Sequence, residues 1–201
     1  MILTREERKT MKSWLARRLT LGRRIAGCRR GSAAVEFAII APIFLGMMFS
    51  MFEIGWFYFA NSVTDSAVTS AGRLIRTGQV QRWDGSDTEV FQQFYDTICD
   101  VVQSFGSCDT HLTVEVKSYA SFSALAADLS NVTCADAEPP DIAAIPFEPG
   151  GELEIVRVRA CLLFKTINPA IGVNLADPST GIRKITSTMI FRNEPYEKNK
   201  K

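Results

Sequence analysis

Arg29-Arg30-Gly31-Ser32-Ala33-Ala34-Val35-Glu36-Phe37 marks the point where a basic leader gives way to a long apolar segment. Residues 1–31 hold ten Lys/Arg against two Asp/Glu, a net charge of +8, whereas residues 32–201 hold thirteen against twenty, a net of −7. The overall +1 conceals that split. From Phe37 to Phe52 sixteen residues carry no charge, and after Glu53 the run Ile54 to Thr64 adds eleven more. A spanning helix needs roughly 20 mostly apolar residues at about 1.5 Å each, so this stretch can cross a bilayer with some tilt. Positive charge crowded before the span places the leader in the cytoplasm and sends the residues after about 64 outside. Glu36 is the anomaly. A carboxylate just inside hydrocarbon costs on the order of 2.5–3.5 kcal/mol on insertion scales and usually signals function.

Two other readings of the apolar run are weaker. A cleaved secretory signal ending at Ala60-Asn61-Ser62 would have an apolar core of about 7–15 residues, and this one is far longer. A buried helix of a soluble protein, greasy on every side, would need more apolar surface around it than the rest of the chain supplies. Within the leader, Met11, Trp14, Leu15, Leu19 and Ile25 are spaced near a helical period. They fit an interfacial helix on the anionic inner leaflet, or a disordered basic tail that only sets topology. Neither is a nucleic-acid-binding motif.

From Ser32 to Arg76 the interruptions are Pro42, which should kink the helix, and Gly46, Gly55 and Gly72. Val63, Ala67, Ala71, Leu74 and Ile75 recur at three- and four-residue intervals, so the helix is expected to continue past the bilayer as an amphipathic stalk ending near Gly78. Unbroken, residues 32–76 would extend about 68 Å. Asp84-Gly85-Ser86-Asp87 supplies turn and cap residues. Phe91, Phe94, Tyr95, Ile98, Val101, Val102 and Phe105 then mark one face of a second helix closed by Gly106. Leu112, Val114 and Val116 alternate with Thr113, Glu115 and Lys117 as in a half-buried strand. Phe122 to Leu129 is ambiguous, with a short helix one reading, and Asn131 to Gly151 is a long loop rich in Pro, Gly and acids.

A further strand is expected from Leu153 to Phe164. Its apolar phase shifts where Arg157 and Arg159 oppose Val156 and Val158, which predicts a bulge or an edge strand. Ile182 to Arg192 is another strand. The expected fold class is α+β: a long N-terminal transmembrane helix continuing as a stalk, then a small head with one helix on an antiparallel sheet of about three strands. The expected divisions are a cytoplasmic leader at 1–31, the span and stalk at 32–78 and an external head at 79–201.

Cys28 lies in the leader and should stay reduced, whereas Cys99, Cys108, Cys134 and Cys161 lie in the head, where disulfides persist. Four cysteines permit three pairings, and spacing does not choose among them. Cys99 with Cys108 and Cys134 with Cys161 is preferred, the second tying the long loop to a strand. A zinc site is disfavoured, because there is no C-x-x-C pair and His111 is the one histidine. No G-x-S-x-G elbow, H-E-x-x-H helix or phosphate-cradling glycine loop occurs. Asn131-Val132-Thr133 matches a glycosylation acceptor, a triplet common by chance. The expectation is a non-enzyme with no cofactor, no metal and no small-molecule substrate.

The junction Arg30-Gly31, followed by Ser32-Ala33-Ala34-Val35-Glu36-Phe37, resembles the processing site of prepilins and pseudopilins of the tight-adherence (Flp-type) pilus system. Within that system it is most similar to TadE-like proteins. Pro42, Glu53-Ile54-Gly55 and Ala71-Gly72-Arg73 are also similar to that family's helix, so the resemblance covers residues 29–78. It implies a prepilin peptidase cutting between Gly31 and Ser32 at the inner face of the cytoplasmic membrane and removing the leader with Cys28. Glu36 and Phe37 would then be fifth and sixth in the mature chain. The new ammonium at Ser32 could pair with the Glu36 carboxylate of a neighbouring subunit and set the stagger of adjacent helices, while Ser32, Ala33, Ala34 and Ala38 permit close approach.

Glu53 has two readings, an outer-interface carboxylate or an interhelical contact. Because major subunits of such pili are short and lack a large head, the resemblance implies a minor pseudopilin or assembly factor. Its partners would be the membrane, the prepilin peptidase and other pilus subunits, not nucleic acid. The rival from another class is an uncleaved signal-anchor protein whose head is a periplasmic interaction or scaffolding module.

Overall fold

Helix α1, Ser32–Arg76, runs without interruption through Pro42 in the computed structural model, which describes residues 31–130, 134, 145–165, 173, 175, 177 and 181–196. The leader with Cys28, the Asn131-Val132-Thr133 triplet and most of the 131–151 loop lie outside the described residues. The chain divides into two compact units, Met1–Met48 and Phe49–Lys201. In the first unit the helix presents apolar side chains in every direction. Val35, Phe37, Ile39, Ile40, Ile43, Phe44 and Met47 are all more than 60% exposed.

The second unit holds the rest of α1 and everything after it. Helix α2 spans Asp87–Val102, α3 Cys108–His111 and α4 Phe122–Ala127, with single 3-10 turns at Val80–Arg82 and Gln103–Phe105. Strands β1 (Leu112–Tyr119), β2 (Ile155–Lys165) and β3 (Ile182–Arg192) form an antiparallel sheet in the order β1-β2-β3. This is the long helix and small α+β head that the hydrophobic pattern predicts; the ambiguous stretch from Phe122 takes its short-helix reading, and α3 is an addition.

Small residues decide how α1 enters the core. Ala60, Thr64, Ala67, Val68, Ala71, Gly72 and Ile75 are buried along one stripe. A Cβ on Gly72 would stand 2.5 Å from Met189 Sδ and 3.2 Å from Phe191, so glycine is what lets α1 lie this close to β3. Ser187 Oγ of β3 donates to Asp65 Oδ1 of α1 at 2.7 Å. Beside them α2 buries Phe91, Phe94, Tyr95, Ile98 and Val102 against Leu112, Val114 and Val116 of β1, all fully buried. Ser86 caps α2 through a reciprocal box with Glu89, and the backbone and side-chain bonds from Ser86 hold the Glu89 carboxyl below its ordinary pKa.

The C-terminus of α1 is closed by backbone chemistry. Gln79 N–H donates to the Leu74 carbonyl and Gly78 N–H to the Ile75 carbonyl, each at 2.9 Å, with Gly78 left-handed at φ +72°. That pair of bonds is the Schellman arrangement, which favours glycine. The Gly78 position is also crowded, since a Cβ there would fall 2.4 Å from the Tyr196 ring.

One strand departs from expectation. β2 is neither bulged nor at an edge; its register is continuous with both neighbours, and ten of its eleven residues are buried. Val156, Val158, Ala160, Leu162 and Phe164 face the helices. Arg157 and Arg159 face the other side, where they are 6% exposed each. The alternation was broken because a second layer covers that face and supplies carboxylates.

Gly78→Ala should destabilise the second unit by at least about 1–2 kcal/mol, from the left-handed backbone alone, with the Tyr196 clash added. Chemical unfolding of the full chain in detergent micelles measures this; an unchanged midpoint would show that neither the cap nor the ring contact contributes.

Candidate functional site

The junction singled out by the sequence is a helix start. Gly31 precedes the first α-helical residue, Ser32, and both are exposed. A Cβ built on Gly31 meets nothing within 4 Å. Nothing among the described residues therefore demands a glycine there. Ser32 Oγ donates to Glu36 Oε1 at 2.9 Å, an i to i+4 contact that helical geometry favours because side chains lean toward the N-terminus. Phe37 beside it is 72% exposed.

Glu53, in the second unit, is 2% exposed. With Phe49, Met51, Phe52, Gly55, Trp56 and Phe59 it lines a cavity of about 440 Å³. The structure does not bring Glu53 together with Glu36; they belong to different compact units. Aromatic contacts fix this part of α1 within its unit. Trp56 and Phe59 lie 5.2 and 5.7 Å from Phe105, and Phe57 lies 6.0 Å from Phe164.

The cysteines pair as Cys99–Cys108 and Cys134–Cys161, with Cα separations of 5.8 and 5.6 Å. In the chain-entropy account such loops contribute about 2.5–3 and about 3.5 kcal/mol respectively. The first ties the end of α2 to α3, where Tyr95 Oη also donates to the Cys108 carbonyl at 2.7 Å. Burial, reinforced by Asp109 and Asp96, pushes that phenol up to about 12, so it remains a donor. The second bond joins Cys134 to the same face of β2 as Arg157 and Arg159.

That face carries a cluster the sequence reading missed. Glu115 lies directly across from Arg159 and Lys117 across from Arg157. Arg159 Nη2 contacts both Glu115 oxygens, at 2.8 and 2.7 Å. Two cations facing each other at Lys117 and Arg157 would repel. Asp128 resolves this: its Oδ2 accepts from Lys117 Nζ at 2.9 Å, Arg157 Nη2 at 2.9 Å and Tyr119 Oη at 2.6 Å. Bonds from Ser130 first, then Tyr119 and Lys117, hold the Asp128 carboxyl far below the ordinary carboxylate range. Burial and the Asp128 bond push Tyr119 up to about 12. The available signal was the shared phase of Glu115, Lys117, Arg157 and Arg159 on adjacent strands. The cluster anchors residues 128–130 to the sheet. Among the described residues no group of three or more His, Cys, Asp or Glu is placed to hold a metal.

Comparison with known proteins bears on the helix and not on the head. Residues 31–73 match the family model for TadE-like proteins. That segment is similar to TadE-like proteins. The match begins at Gly31 and ends at Arg73, three residues before α1 does. No curated protein and no solved structure matches the chain. Most of the match falls on α1, the one helix among the described residues that is long and apolar enough to cross a membrane, and almost none of its most apolar window is buried.

Asp128 binds its proton less readily in the folded chain than in the unfolded one, so acid favours unfolding. Its stabilisation is complete above an ordinary carboxylate pKa of about 4 and is lost as pH falls below that toward the lowered folded value. A thermal-unfolding series of the full chain should therefore decline below about pH 4, and Asp128→Asn should be less stable at neutral pH and flatter in that window. An equally steep acid limb in the variant would remove Asp128 from the account.

Proposed function

We propose that the chain is a minor pseudopilin or assembly factor of a tight-adherence (Flp-type) pilus. In this reading it is held in the cytoplasmic membrane by the first part of α1, with the leader inside and the disulfide-bonded head in the periplasm. A prepilin peptidase cuts between Gly31 and Ser32. The observation that carries the reading is the junction itself. It combines a solvent-facing glycine whose side-chain position is empty, a helix beginning at the next residue, and a carboxylate one turn further on at the start of a TadE-like segment.

With nothing among the described residues within 4 Å of a Cβ at Gly31, a demand for glycine there suits the active site of a processing enzyme. Cleavage converts the Ser32 amide into an ammonium within the helical turn that ends at Glu36. The carboxylate then has a cation available in place of a hydroxyl. Within one chain, the pair neutralises two charges at the membrane surface. Between chains, the same pairing compensates a carboxylate carried into the bilayer beside a neighbour's helix, which would otherwise cost several kcal/mol. The apolar shell of Val35, Phe37, Ile39, Ile40 and Ile43 suits both lipid and a neighbouring helix. The two head disulfides agree with an oxidising compartment.

Gly31→Leu should leave the fold and thermal stability unchanged while abolishing maturation, read as the mass of the chain recovered from cells with an active peptidase. A mature N-terminus at Ser32 in that variant contradicts the reading, and an intact leader in the unmodified protein assigns the chain to a signal-anchored scaffold instead.

Glu36→Ala should insert as well as the parent or better and sharply reduce surface pili. Normal piliation would show that the carboxylate has no role in assembly.

A further inference from the structure

About 30 Å of hydrocarbon takes up about 20 helical residues. Counted from Ala33 that stretch ends at Phe52, and counted from Phe37 it ends at Trp56. The head already touches α1 at this level. Val173 N–H donates to Ser50 Oγ at 2.9 Å. Phe57 lies against Phe164 and under the Arg183 guanidinium, 5.6 Å from its ring centre, and Trp56 and Phe59 lie against Phe105. No free length of stalk separates these parts of the head from the residues where a span must leave lipid.

The same contacts say which end of the head that is. α1 and β3 run side by side in one direction: Phe57 is level with Arg183, Asp65 with Ser187, Gly72 with Met189 and Phe191, and Arg76 with Glu194. The C-terminal end of α2, with the turn Gln103–Phe105, therefore stands at the Phe57 end. Gly78 and the Ser86 cap stand at the other.

The near end carries an apolar patch drawn from two elements. Phe52 and Phe59 of α1 are exposed, and Trp56 and Phe105 are half-buried. Ile98 and Val102 take the inner face of α2, which leaves Val101 43% exposed. The Cys99–Cys108 disulfide brackets the turn and holds its two ends 5.8 Å apart. Polar groups fix the depth. Asp100, Gln103, Ser104 and Lys165 are exposed at this end, so hydrocarbon would reject it. A headgroup layer about 5–7 Å thick accepts charges beside aromatic rings. Continuity selects the occupant, because Phe52 and Phe59 belong to the helix that lipid surrounds.

We propose that Val101 and the turn Gln103–Phe105 are seated in the headgroup layer of the leaflet on the head's side. Trp56, Phe59 and Phe105 then form one interfacial aromatic belt, and the lipid surface is a second point of attachment for the head. This seat requires α1 to span the bilayer as proposed and does not depend on cleavage after Gly31.

The test places the full chain, one copy per disc, in nanodiscs of phosphatidylethanolamine and phosphatidylglycerol. The discs carry a phospholipid with a photoreactive diazirine near the glycerol end of one acyl chain, and mass spectrometry locates the crosslinks. Residues 101–105 should be labelled at least tenfold more than residues 84–89 at the other end of α2. A diazirine at the chain terminus should label residues 39–47 and largely miss 101–105. Val101→Asp, at an exposed position, should cut labelling of the turn at least threefold and leave that of α1 unchanged. Labelling of α1 without the turn, or equal labelling of 84–89, overturns the proposal and leaves the span in place. No labelling of α1 removes the span and the seat together. Loss of the label on the turn in discs that hold two chains also overturns it, by giving the patch to a second copy.

Discussion

Between its first and last turns helix α1, Ser32–Arg76, meets its backbone hydrogen bonds internally except at Pro42, and the rest of the structure depends on that property. A chain that enters hydrocarbon has no water to bond its amides, so only a helix or a closed barrel is tolerated there. The same helix then supplies a buried stripe to a folded unit. Side chains meet both demands without a break in the backbone: large and apolar in all directions through Met47, then small along one stripe from Ala60 to Ile75. The Gly78 closure ends the helix where its last buried residue, Ile75, has been placed.

In the second unit two different forces hold the two faces of one sheet. Toward the helices the contacts are apolar, with Phe94, Ile98, Leu112, Leu162 and Phe164 fully buried. On the far side an ionic layer of Glu115, Lys117, Asp128, Arg157 and Arg159 is joined by a disulfide. Buried ions are weak contributors to net stability but costly to leave unpaired. They therefore specify which loop covers the sheet more than they strengthen it.

Most of this architecture is legible in the residues. The uncharged run from Phe37, the period-3.6 face from Phe91 to Val102 and the alternation in Leu112–Val116 each correspond to an element. The strand at Ile182 has the bounds expected of it. The error at β2 has a definite cause. Periodicity assigns an arginine to solvent unless a carboxylate is known to lie opposite, and strand pairing is a nonlocal fact. Glu115 is 44 residues from Arg159, and no spacing rule reaches that far. The helix start was readable for a different reason. Gly31, Ser32 and Glu36 are neighbours in sequence, so their juxtaposition needs no tertiary knowledge. What covers Glu53 does need it, and its burial could not be foreseen.

The anchoring of residues 128–130 carries a consequence for how the cysteines find one another. Ser130 is held at Arg159, and Cys134 follows four residues later, within at most about 14 Å of extended chain. Cys161 stands two positions along the same strand and face. Noncovalent contacts thus confine one thiol to the neighbourhood of its mate, and of three conceivable connectivities the folded sheet makes one nearby. The ionic contacts and the disulfide therefore favour the same placement of the loop on the sheet.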